Sequence, residues 1–135
     1  MNSSSNKLIV LAIYLCYVIN HCHGFNPFAK TVVTITNNIS PQAVLRVSCK
    51  SKDDDLGEHV LSSGQRFQWK FRPSVFRVTL FFCRFAWNNQ VKRFDVYTPS
   101  RDQGHCITCN WSIMADRLCL SGNLDKYYDR CYQWK

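Results

Sequence analysis

The six cysteines Cys49, Cys83, Cys106, Cys109, Cys119 and Cys131 are the residues with the most chemistry to offer. Cys106-Ile107-Thr108-Cys109 has redox-dithiol spacing, but that chemistry needs a helix N-terminus or a cation to lower one thiol pKa. With Cys119 and Cys131 the same pair would make a four-thiolate zinc set. The flanks are strand-like, and three-residue spacing on a strand sends two side chains to opposite faces. The expectation is that these two cysteines do not bridge each other. Cys119 is expected to join Cys131, and Cys49 and Cys83 to pair with Cys106 and Cys109 in an order the sequence leaves open.

The other reactive residues are sparse. His59 and His105 have no nucleophile, metal partner or paired carboxylate at a diagnostic spacing, so neither reads as an acid–base group. The run Lys52-Asp53-Asp54-Asp55-Leu56-Gly57-Glu58 lacks the alternating ligands and distal Glu of a calcium loop, and reads as a solvated turn. No enzyme, cofactor or metal centre is expected. The positive charge carries more information. In Arg66-Phe67-Gln68-Trp69-Lys70-Phe71-Arg72 the aromatics alternate with polar residues, which places Arg66, Lys70 and Arg72 on one exposed strand face. Such a face suits an acidic partner. Asn38-Ile39-Ser40 and Asn110-Trp111-Ser112 are glycosylation sequons at Asn38 and Asn110.

These residues are held by a chain of 135 with eight cysteines and a formal charge of +8. Its first 24 residues have a polar start with Lys7, twelve apolar residues from Leu8 to Ile19, and a short polar end at Cys22-His23-Gly24. That is the plan of a secretory signal, and the apolar run is shorter than the roughly 20 residues a membrane span needs. Residues 1–24 are thus expected to be removed. Residues 25–135 remain as one domain with six cysteines and a charge of +7, secreted and without stable membrane insertion. Six cysteines in a short secreted domain form a disulfide framework. For a secreted protein an anionic polysaccharide or an acidic receptor loop is a more accessible partner than nucleic acid.

Period-two alternation pervades the domain. Strands are expected at Val33-Ile35-Asn37, at Leu45-Val47-Cys49, over residues 66–72, 91–97 and 107–113, and over 127–134. Residues 76–85, apolar on both sides at their centre, read as a central strand covered on both faces. Asn88-Asn89, Ser62-Ser63-Gly64 and Thr98-Pro99-Ser100 mark turns. The fold class is all-β: an antiparallel β-sandwich of seven to eight short strands, stabilised by disulfides.

Read in order, the motifs VTITNN (33–38), CKSKDDDLG (49–57), WKF (69–71), TLFFC (79–83), FDVY (94–97), Arg101-Asp102 and CITCNWSI (106–113) resemble the plant self-incompatibility S1 family, the S-protein homologues. The likeness spans almost the whole mature chain. It implies a small secreted plant protein with a disulfide-bonded sandwich, a ligand for a cell-surface receptor, as the founding members are in pollen rejection. Asp116-Arg117 stands where the family often carries Asp-Gly, and Cys119 and Cys131 mark a subset with an added bridge. Receptor specificity is expected in loops at 52–58, 72–75, 86–90 and 121–129. The competing expectation is a cell-wall or defence protein that holds anionic polysaccharide or microbial surfaces through Arg66, Lys70 and Arg72.

Overall fold

The computed structural model describes residues 6–11, 14–15, 30–74, 78–122 and 130–135. Nine strands lie among them: β1 (Thr31–Asn37), β2 (Leu45–Lys50), β3 (Asp55–Leu61), β4 (Arg66–Phe71), β5 (Phe81–Trp87), β6 (Gln90–Tyr97), β7 (Thr108–Ile113), β8 (Arg117–Gly122) and β9 (Arg130–Gln133). One short helix, α1 (Pro99–Asp102), follows β6. The strands form a five-stranded sheet, β4-β1-β7-β8-β9, and a four-stranded sheet, β3-β2-β5-β6. The sandwich expected from alternation is present, with one strand more than the upper count. It is not wholly antiparallel: β1 runs parallel to β7, Val33 level with Cys109 and Ile35 with Trp111. A parallel neighbour requires a long crossover, and the entire β2–β6 segment supplies it.

Each sheet contributes one apolar face. Val33, Ile35, Trp69, Cys109, Trp111, Ile113, Leu118 and Leu120 meet Leu45, Val47, Cys49, Phe81, Cys83, Phe85, Trp87 and Val96, all buried. Each such aliphatic or aromatic side chain contributes about 1.5–3 kcal/mol when fully removed from water. Thr31, Thr34, Asn37 and Asp102 are the buried polar side chains among the described residues, and Asn37 lies between the sheets. Asn37, with no exposed surface, donates through Nδ2 to the carbonyls of Ala43 and Leu61, both at 2.9 Å. Its Oδ1 accepts from the Ile39 N–H at 3.1 Å. It therefore ties the end of β1 to the end of β3 in the opposite sheet.

Two local expectations need correction. The strand read over 76–85 begins only at Phe81 and extends to Trp87; residues 75–77 lie outside the described set. Its second face is not covered, since Phe82 is 42% exposed and Arg84 is exposed. Apolar residues on both sides marked an internal strand of an open sheet, with Phe82 left at the surface. The acidic run, read as a turn, contains the start of β3: Asp55 pairs with Lys50 and Glu58 with Ser48 across a bulge. The final strand, expected over 127–134, is described only as Arg130–Gln133, and 127–129 lie outside the described residues.

Turn chemistry was read correctly where it was strongest. Asn88 and Asn89 take φ of 46° and 62° between the paired residues Trp87 and Gln90, the two-residue hairpin that favours Asn and Gly. Asp116-Arg117 closes its hairpin through Met114 N–H to Arg117 O at 2.9 Å. Neither residue has positive φ, so no glycine is required there.

Candidate functional site

The disulfides set the framework on which any site is displayed. Cys49 bridges Cys83, Cys106 bridges Cys109, and Cys119 bridges Cys131. The last was expected; the other two overturn the expected pairing. Cys49 and Cys83 stand directly opposite each other in the β2–β5 ladder, on the inner face and fully buried. Strand alternation would keep Cys106 and Cys109 apart only if both belonged to one strand. They do not, because β7 starts at Thr108. Cys106 belongs to the turn after α1, where its N–H bonds the Asp102 carbonyl at 3.1 Å, and this bend carries it back toward Cys109. The pair is buried and oxidised, without the exposed thiolate that redox work needs.

The same turn anchors the β6–β7 connection. Asp102 is fully buried and accepts from the Thr98 N–H at 2.9 Å and from Arg101 Nε and Nη2 at 2.8 and 2.7 Å. Arg101 Nη2 also donates to the Asp95 carbonyl at 2.9 Å. Its guanidinium lies 5.0 Å from the Trp111 ring centre and 5.6 Å from that of Phe94, within cation–π range. A buried carboxylate this fully bonded is structural in role. Nearby, Tyr97 is fully buried, and its hydroxyl is pushed up to about 12, first by desolvation and then by the Asp102 charge, against a lowering hydrogen bond to Thr31.

The two described histidines, His59 and His105, belong to different elements. His59, on β3, stacks on Phe67 of β4 with ring centres 3.7 Å apart, and its Nε2 lies 2.9 Å from the Leu56 carbonyl. It closes the open side between the edge strands of the two sheets. His105 sits in the turn after α1. Among the described residues, no cluster of His, Cys, Asp or Glu could hold a metal ion.

The basic strand face has the geometry expected of it. Arg66, Gln68 and Lys70 project from β4 to solvent while Phe67, Trp69 and Phe71 turn inward, and Arg72 is exposed just beyond the strand. Among the described residues none of Arg66, Lys70 and Arg72 has an ion pair. Across the register lie Thr36 opposite Arg66 and Thr34 opposite Gln68, and then Ser112 and Asn110 of β7. Thr34 is itself buried, so the cations border the half-buried hydroxyls of Thr36 and Ser112 and the exposed amide of Asn110. Both sequon asparagines reach this surface and are exposed, with Asn38 Nδ2 donating to Ser112 Oγ at 2.7 Å.

The candidate loops divide between the two ends of the sandwich. Residues 51–54 face Arg72, Ser74 and residues 78–80 around a groove of about 800 Å³, which Lys52, Asp53 and Asp54 also help to line; of the loop at 72–75, Val75 lies outside the described residues. The Asn88-Asn89 turn is at the opposite end, since β5 carries the chain away from its Cys83–Cys49 pairing. Of the loop at 121–129, residues 123–129 lie outside the described set. The groove was not legible from sequence, because its walls are separated by some twenty residues that form β3 and β4.

A family model described as plant self-incompatibility protein S1 matches residues 32–134. The chain belongs to that family. Among relatives, S-protein homolog 29 of Arabidopsis thaliana is 66% identical over 99% of both chains, and S-protein homolog 5 of the same plant is 46% identical over 83% of this chain and 84% of that one. A solved structure of SPH proteins, described as a widespread family of small, highly stable, secreted proteins from plants, superposes with a TM-score of 0.58. It covers 80% of this chain and 96% of the other at 18% identity, which supports the fold. In this S-protein homologue the motifs that carry the family resemblance are architectural: CKSKDDDLG spans the β2–β3 bulge, and CITCNWSI carries one bridge and the buried Trp111.

Proposed function

We propose that this S-protein homologue is a secreted, non-catalytic ligand perceived by a cell-surface receptor protein. The observation that carries the reading is the convergence of residues 51–54 with Arg72, Ser74 and residues 78–80 around one groove at the end of a sandwich stiffened by three disulfides. Loops held by a rigid scaffold bind with little ordering cost and vary without disturbing the core. Residues 1–24 act as the signal sequence, cleaved at Gly24, and N-terminal sequencing of the secreted product should begin at Phe25. Transplanting 51–54 and 72–80 together into a relative should transfer saturable binding to the cognate tissue. A chimaera that folds and does not acquire that binding would refute the receptor reading.

A second reading has its own observation, the exposed Arg66, Lys70 and Arg72, without an ion pair among the described residues, beside Thr36, Ser112 and Asn110. On this reading the protein holds anionic cell-wall polysaccharide or microbial surfaces. Exposed charge contacts weaken as the Debye length shrinks with salt. Pectin binding should therefore fall steeply from low to physiological salt and be lost on Arg66→Glu/Lys70→Glu. Salt-independent binding that survives this change would exclude the reading.

A further inference from the structure

The outer face of the four-stranded sheet is electrostatically uneven. On its β2–β3 half the cations are paired, Arg46 with Glu58 at 2.9 Å and Lys50 with Asp55 at 3.7 Å. On its β5–β6 half, Arg84 and Arg93 stand directly opposite each other across the ladder, and both are exposed. Neither joins an ion pair among the described residues. Directly opposed residues have Cβ atoms about 5 Å apart, and like charges so placed repel. A bound anion would remove that repulsion.

The surroundings narrow the kind of anion. Phe82 lies two residues from Arg84 on the same strand face and is 42% exposed. A bulge at Phe81/Phe82 sets it opposite Asp95, itself exposed. Phe82, Arg93 and Asp95 also line a groove of about 790 Å³ that passes round the free edge of β6 to Tyr132 and Trp134. Planar guanidiniums match carboxylates in bidentate fashion. Flat, half-exposed aromatic rings offer apolar area for the C–H face of a sugar ring. A carboxylate within a cationic groove repels a purely polyacidic ligand but accepts hydrogen bonds from hydroxyl groups. Carboxylate, ring face and hydroxyls together describe a uronic acid.

We propose that the Phe82–Arg84–Arg93–Asp95 surface, continuing into the β6-edge groove, binds a polyuronate chain. Arg84 and Arg93 hold one carboxylate, Phe82 supports a neighbouring sugar ring, and Asp95 accepts from ring hydroxyls. The site shares its ligand class with the second reading above but lies on the opposite face of the sandwich, so the two can fail separately.

The test is a titration of the disulfide-bonded protein with a defined oligogalacturonide, with a neutral oligosaccharide of equal length and poly-glutamate as comparators. Arg84→Gln/Arg93→Gln should weaken oligogalacturonide binding roughly a hundredfold, about tenfold per charge-assisted contact. Phe82→Ala should weaken it about tenfold with the salt dependence unchanged. Arg46→Gln, on the paired half of the face, should have no effect. All four positions are exposed, and near-ultraviolet circular dichroism verifies that each variant folds. Binding that is indifferent to both the Arg84/Arg93 and the Phe82 changes would overturn the proposal. So would poly-glutamate binding as tightly as the uronate, which would identify an acidic peptide as the occupant. Loss of binding on Arg66→Gln/Lys70→Gln alone would place the sugar on β4 instead and likewise overturn it.

Discussion

Asn37 satisfies three backbone groups from inside the core, two of them buried and one part-buried, and its removal would leave the Ala43 and Leu61 carbonyls and the Ile39 N–H without this partner. Each unsatisfied buried group costs about 1–3 kcal/mol, so Asn37→Ala is expected to destabilise by roughly 3–5 kcal/mol, a large share of the margin of a domain this size. Urea denaturation measures this directly; a loss below about 1 kcal/mol would mean that water replaces the amide. Tyr97 makes a different prediction. Its folded pKa of about 12 lies above the ordinary 10.0, so between these values the unfolded chain releases a proton that the folded chain keeps. The neutral form's contribution is complete below pH 10 and declines as pH rises toward 12. The stability of Tyr97→Phe should accordingly fall less steeply over that window than that of the parent, and tyrosinate absorbance should show one tyrosine of the parent titrating late.

The elements differ in how they are secured, and the bridges should differ in worth. Cys49–Cys83 spans 34 residues, Cys119–Cys131 spans 12 and Cys106–Cys109 spans 3. Loop-closure entropy then assigns them about 4, 3 and 2 kcal/mol respectively. Paired Cys→Ser variants should lose stability in that order. In the Cys119→Ser/Cys131→Ser variant, the short edge strand β9 should also lose amide protection while β1 and β7 retain theirs. Protection of β9 equal to the parent's would show that Trp134, bonded to the Met114 carbonyl at 2.9 Å and packed on Phe85 and Trp87, suffices alone. Legibility from sequence followed the same division by element. Strands with strict alternation, such as Arg66–Phe71, and turns with strong backbone preference, such as Asn88-Asn89, could be read residue by residue. Pairings were legible only where the local conformation was right. The Cys106–Cys109 bridge was missed because a turn ends at the residue where strand alternation was assumed to begin. The Arg84–Arg93 pair was missed because two strands must be placed in register before their arginines become neighbours.

At the scale of the whole molecule, the two basic surfaces face away from each other, since Arg66 and Lys70 project from one sheet and Arg84 and Arg93 from the other. Packed sheets are about 10 Å apart, so one extended polyanion cannot lie flat on both. If both surfaces bind, a single protein holds two chains. Mixtures with long pectin should then turn turbid at an intermediate protein ratio and clear on either side of it, as bivalent linkage requires, and silencing either face should abolish the turbidity while leaving binding. Turbidity that only rises with protein would instead indicate neutralisation and precipitation. The parallel pairing of β1 with β7 bears on how such a molecule is made. β1 lies between β4 and β7, so the first strand of the sandwich finds its second neighbour only after Ile113 has been synthesised. A ribosome must therefore release nearly the entire chain into the secretory lumen before the central sheet can close. During that interval Asn38 and the cysteines Cys49, Cys83, Cys106 and Cys109 enter the lumen ahead of the sheet that will enclose the core, whereas Cys119 and Cys131 arrive only as it closes.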